Sequence, residues 1–170
     1  MPKVLLHEHL DGSLRVETLF ELLAARRLPM PATDIQSLAA WFDERAHAGS
    51  LTEYLRGFEL TVAAMATPMA LERVAYEAAE DARAEGGVLA EFRIAVRLFE
   101  AHGVPGEAAV EALLAGLARS ALPSGLIVCA MRHLPESETV RAAKLALRYQ
   151  GRGVVGFDLA GAEYNFPAKD

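Results

Sequence analysis

His7 and His9 close the first apolar run of the chain, and Asp11 follows at the same spacing of two. On a β-strand the side-chain period is two, so the two imidazoles share one face while Glu8 points away. Neutral imidazole nitrogen is a ligand for zinc and other first-row divalent metals. A catalytic metal also keeps an open position for water, whose acidity it raises to near neutrality. The same spacing fits two surface or satisfied core histidines as well, and Asp11 fits the N-cap of a following helix.

The elements around the pair say where it sits. Val4-Leu5-Leu6 is too short and too β-branched at its start for a helix, and Asp11-Gly12 supplies a turn directly afterwards. That places His7 and His9 at the C-terminal end of a strand, where α/β proteins collect their chemistry. Three more β-like runs follow at 88–96, 125–131 and 153–159. Four helical patterns, 14–28, 34–46, 51–66 and 69–85, fill the interval between the first two runs, and single helices at 107–117 and 136–149 fill the later ones. Thr33 with Gln36 reads as a capping box, Pro68 behind Thr67 as a first helical turn, and Gly86-Gly87 as a helix end. Leu51, Leu55, Phe58, Val62 and Met65 form one apolar stripe.

Strands separated by whole helices must be parallel, with right-handed crossovers. The expected fold is therefore α/β: a partial (β/α)8 TIM barrel, the first four parallel strands with a helical insertion after strand 1. Residues 1–170 read as a single unit, with no linker, repeat or low-complexity tract. A complete barrel takes about 250 residues. The alternative is a closed four-stranded open sheet, but no strand is followed by a Gly-rich phosphate loop.

Composition narrows the classes of function. With 52% apolar residues the chain can bury a real core, and 17 basic against 23 acidic residues, with no basic cluster, argue against a nucleic-acid partner. No apolar stretch approaches the roughly 20 residues that span a bilayer, and the N-terminus lacks a signal-peptide pattern. A soluble cytoplasmic protein without a membrane role is the expectation. The one cysteine, Cys129, lies in an apolar run and reads as a small buried hydrophobe rather than a nucleophile.

Polar residues collect at the other strand ends too. Arg132-His133 follows the third run and Gly161-Ala162-Glu163 the fourth; each also fits a solvated loop or turn. Glu91 and Arg93 share a strand face and Asp158 lies in the fourth run, a set that predicts a buried ion-pair layer rather than catalysis.

The segment from Pro2 to Arg15, with His7-Glu8-His9-Leu10-Asp11-Gly12 at its centre, resembles the opening of the adenosine deaminase family, in the amidohydrolase superfamily. Tyr54-Leu55 with Phe58 resembles the family's lid helix, and Glu91-Phe92-Arg93 its second strand. Cys129-Ala130-Met131-Arg132-His133 is similar to its third, and Val155-Gly156-Phe157-Asp158-Leu159-Ala160-Gly161 with Glu163 to its fourth. The matches keep their order and spacing along essentially the whole chain. The resemblance implies zinc-dependent hydrolytic deamination of a purine nucleoside, adenosine to inosine. It implies that His7 and His9 are zinc ligands, that Asp11 binds the ribose, that Gly161 offers its backbone N–H to the purine, and that Leu55 and Phe58 close over the sugar side.

The family pattern is not reproduced throughout. Val16 and Val96 stand where the family often has proline, and Ala162 where it commonly has Asp or Pro. The family's His-x-Gly-Glu motif, which carries the third metal histidine and the proton-transferring glutamate, is not found, nor are the later histidine and aspartate. His47, His102 and His133 lie before or between the matched segments and cannot replace them. The chain thus resembles the N-terminal half of such an enzyme, with no catalytic proton carrier of its own. Zinc binding by it alone is expected to be weak or absent. Two readings stand beside the adenosine deaminase: a deaminase of adenine or another aminopurine, and a non-catalytic half-barrel or assembly module. Unpaired strand edges predict self-association or pairing with a complementary half.

Overall fold

The structure, a computed structural model, describes residues 1–47, 49, 51–161, 163, 164 and 166, with 51–56 described by backbone only. Strand β1 spans Lys3–His9 and is followed by four helices, α1 Val16–Ala25, α2 Ile35–Ala46, α3 Leu51–Met65 and α4 Pro68–Ala84. The rest alternates: β2 Gly87–Ile94, a 3₁₀ segment Val96–His102, α5 Gly106–Ala118, β3 Ser124–Met131, α6 Glu136–Tyr149 and β4 Val154–Ala160. The four strands form one parallel sheet in the order β1-β2-β3-β4, as the alternation with helices predicts.

Helix limits follow local chemistry. Thr67 caps α4 by accepting the Ala70 N–H at 3.1 Å, with Pro68 in the first turn. Gly86, at φ +91°, lies just beyond the helix end. The cap of α2 corrects the expected capping box. Asp34, not Thr33, is the N-cap, and its carboxylate accepts the Ser37 N–H at 2.8 Å. An ionised oxygen one residue closer to the helix is the stronger acceptor for an orphan N–H. The second β-like run also ends early, at Ile94, because Val96 already belongs to the 3₁₀ segment.

One face of the sheet is sealed by helices. Phe92, Ile94, Leu126 and Val128 from the strands meet Leu71 and Val74 of α4, Leu113 of α5 and Ala142 of α6 in one core, all at 1% exposure or less. Helices α4 and α5 approach closely at Gly116, where any Cβ would collide with the Glu72 carbonyl oxygen. A smaller cluster, Leu19, Leu23, Leu38 and Ala64, holds α1, α2 and α3 together beside the sheet. Of the α3 stripe, Val62 and Met65 are buried and Phe58 is half-buried; the side chains of Leu51 and Leu55 lie outside the described residues.

Register places the chemistry on the opposite, inner face. Val4 pairs with Leu89 and Leu5 with Ala90, but Glu8 pairs with Phe92 and His9 with Arg93. Strand β1 therefore holds one residue more than β2 between these pairs, a bulge that resets its alternation. Val4 and His9 both lie in register with the inner-facing set of β2, with Arg93 its last member, although they are separated by an odd number of residues. Among the described residues, no helix is long and apolar enough to cross a membrane.

Candidate functional site

His7, His9 and Asp11 come together at the C-terminal end of β1. The two imidazole rings lie 5.4 Å apart, centroid to centroid, tilted by 49°. His7 is exposed and His9 half-buried. Glu8 is turned from them: its carboxylate lies against the Ser13 hydroxyl, which also reaches the His9 carbonyl at 2.7 Å. This contact and the short Gly12 N–H to His9 carbonyl bond of 2.9 Å fix the turn that follows the strand.

Asp11 is nine-tenths buried, and its Oδ1 has no hydrogen-bond partner; the nearest cation is His9 Nδ1 at 3.7 Å. A buried, unsatisfied carboxylate oxygen carries a desolvation penalty unless a donor arrives. Asp11 lines a cavity of about 400 Å³ enclosed by α1, α2 and α3, together with Gly12, Phe42, Arg45, Phe58 and Thr61. The structure thus unites two of the residues expected on the substrate, Asp11 and Phe58. Phe58 comes so close that a Cβ on Gly12 would lie 3.5 Å from its ring. Phe42, Arg45 and Thr61 were not singled out in the sequence. Helix α2 resembles an ordinary amphipathic helix, and nothing in its pattern shows which side meets the turn after β1.

Gly161 lies elsewhere, beyond β4. Its φ of +99° is one that other residues adopt only under strain, and the position is hemmed in by Met131, Arg132 and His133. Arg132 braces the following segment, donating to the Phe166 carbonyl at 3.2 Å and pairing with Glu163 at 3.3 Å. Ala162 lies outside the described residues.

The ion-pair layer forms, with Arg93 and Asp158 as its members. Arg93, 8% exposed on β2, pairs with Asp158 of β4 and also meets β1, its Nη1 lying 2.9 and 3.0 Å from the two ring nitrogens of His7. Cys129, buried on β3 as expected, has its sulfur 3.9 Å from the Asp158 carboxylate, and burial pushes its thiol upward. The Arg93 guanidinium, with desolvation and His9 adding, holds the His7 imidazole below its ordinary value and therefore neutral. A neutral imidazole is the form that ligates metal. The donor set thus fits a divalent metal in kind and falls short in number. Among the described residues, no cluster of three or more His, Cys, Asp and Glu side chains could hold an ion, where a catalytic site takes three protein ligands.

Comparison with known proteins agrees with this geometry. A family model described as adenosine deaminase matches residues 2–170. An adenosine deaminase of Mycobacterium ulcerans is 46% identical over 98% of this chain and 48% of its own length. Among solved structures, the N6-mAMP deaminase of Arabidopsis aligns with a TM-score of 0.78 at 26% identity, covering 95% of this chain and 50% of the other. An amidohydrolase from Burkholderia ambifaria with bound Zn aligns with a TM-score of 0.80 at 26% identity, over 98% and 46%. The chain spans about half the length of the curated relatives it matches.

Proposed function

The chain belongs to the adenosine deaminase family, and from that premise we propose that it supplies the metal-gripping and sugar-binding part of a hydrolytic purine-nucleoside deaminase acting on adenosine to give inosine. The observation that carries this reading is the junction at the end of β1. There the His7 and His9 imidazoles adjoin the buried, unpartnered Asp11 carboxylate at the wall of a nucleoside-sized cavity. In this reading His7 and His9 hold zinc. A zinc ion there supplies Lewis acidity, the capacity to make water a nucleophile near neutral pH.

The remaining roles belong to the chain's own groups. Asp11 accepts a hydrogen bond from a ribose hydroxyl, which removes the penalty on its bare Oδ1. Phe58, with Leu55 on the same helix, walls the sugar side. Gly161 presents its backbone N–H to a ring nitrogen of the base. No residue of this chain is assigned the proton transfer. The open edges of β1 and β4 take complementary strands, as a closed eight-stranded barrel requires. A free, buried Cys129 suits a reducing, cytoplasmic setting.

A chimera tests the proposal directly. This chain replaces its counterpart in the M. ulcerans adenosine deaminase, and ammonia release from adenosine is measured alongside zinc content. The expected result is a zinc-loaded, active chimera in which His7→Ala or His9→Ala lowers activity by at least about a hundredfold. A folded chimera without activity overturns it. One observation favours a second reading, a non-catalytic half-barrel: the Arg93 guanidinium sits on the His7 ring nitrogens that a metal needs. That reading predicts a folded, zinc-free chimera.

A further inference from the structure

Arg93 spans the inner face from β1 to β4, holding two acceptors of unequal strength. Its Nη1 lies on His7 and its Nη2 on Asp158, two strands away, with Cys129 of β3 beneath the carboxylate. A guanidinium has donors only and keeps its charge, so at His7 it requires the imidazole lone pair. A neutral imidazole has one such lone pair, and a divalent metal requires the same one. Asp158 is the better acceptor, because both partners in that pair are charged. It is also only half-buried, so it can accept a second guanidinium bond without further desolvation.

We propose that Arg93 is a positioning residue that occupies the His7 lone pair until a divalent cation takes it, with Asp158 as the seat that then holds the displaced guanidinium. The inference rests on the assignment of His7 and His9 as metal ligands. It makes cation affinity a property of β2 and β4 as well as of the two histidines. Charge adds to the effect, since a fixed guanidinium beside His7 repels an incoming dication. Arg93 is thereby neither a ligand nor a passive ion-pair partner.

Cobalt(II) binding to the purified chain, followed by calorimetry and by the visible spectrum of the bound ion, tests the proposal without any turnover. Arg93→Gln is expected to bind Co2+ about tenfold more tightly than the parent, a gain of about 1.4 kcal/mol. Asp158→Asn is expected to bind several-fold more weakly, because the guanidinium loses its alternative seat. Arg93→Gln binding no more tightly than the parent, whether the parent binds weakly or not at all, overturns the proposal. If the substitution disturbs folding, nitrogen-15 spectra of the unsubstituted protein decide. The Arg93 guanidinium signals are expected to move on addition of Zn2+, and signals that stay in place overturn the proposal. The double variant His7→Ala/His9→Ala separates the two levels. Unchanged Co2+ affinity there brings down the metal assignment and this inference together. A large loss, with Arg93→Gln equal to the parent, brings down the Arg93 inference alone.

Discussion

The two faces of the four-stranded sheet are built on different terms. On the helix-backed face, Phe92, Leu126 and Val128 are fully buried against α4, α5 and α6, and every neighbour belongs to this chain. On the inner face, Val4, Leu6 and Val155 are more than half exposed, and the ordered contacts are polar: His7 with Arg93, Arg93 with Asp158, Cys129 with Asp158. One face gains its stability from apolar area removed from water. The other keeps hydrogen-bonding groups available, at the expense of that gain. The difference teaches that stability and chemistry are separable in this molecule, and substitutions can probe each without the other.

The largest contrast is expected between Phe92→Ala and Leu6→Ala. The first opens a cavity in the helix-backed core and costs about 3–5 kcal/mol. The second stays within about 0.5 kcal/mol, because Leu6 is already exposed. Urea unfolding of both variants checks the pair, and equal losses would break the comparison. Next comes Gly116→Val at the α4–α5 contact, expected to cost about 1–3 kcal/mol, since the obstacle is the Glu72 backbone rather than a movable side chain.

A smaller effect is expected on the polar face. Asp158→Asn leaves the buried Arg93 without its carboxylate, but Asp158 is one-third exposed and water screens the loss to about 1–2 kcal/mol. Arg93→Met, which removes the charge together with its need, is expected to destabilise less than Asp158→Asn in the same assay. The reverse order would mean that Arg93 packs more than it pairs.

The smallest effect concerns acid. Hydrogen bonds from Arg83 and Ser120 draw the Glu80 carboxylate down from 4.5 to about 2. Its folded state thus binds a proton less readily than the unfolded one. The contribution is complete above pH 4.5 and is lost as pH falls from there toward about 2. Glu80→Gln is expected to flatten the pH dependence of stability within that window, read by thermal unfolding at a series of pH values.

Much of the architecture was legible because it rests on local signals. Alternation of β-like runs with whole helices dictates parallel strands, and Thr67-Pro68 and Gly86 mark the ends of α4. Where two local signals competed, the sequence was less decisive. Thr33 and Asp34 both suit an N-cap, and only the backbone at Asp34, extended at φ −149° and ψ 169°, selects between them. The site was legible in its residue types: His7, His9, Asp11, Phe58 and Gly161 all lie at or beyond the C-terminal ends of strands or on the helical insertion. The contributions of Phe42, Arg45 and Thr61 were hidden, because a cavity between helices depends on how those helices cross.

By itself, the sequence determined that His7 and His9 share a face and that Asp11 follows them into a turn. Those facts need only the two-residue period of a strand and the chemistry of Asp-Gly. Which face the pair occupies was decided by tertiary structure, through the bulge between Leu5 and Glu8 that brings His9 level with Arg93. Strand pairing also brought Arg93 to His7 across 86 residues of sequence and Asp158 to Arg93 from the far edge of the sheet. Periodicity is a property of one segment, whereas register and charge pairing belong to several segments at once. They appear only when the strands are laid side by side.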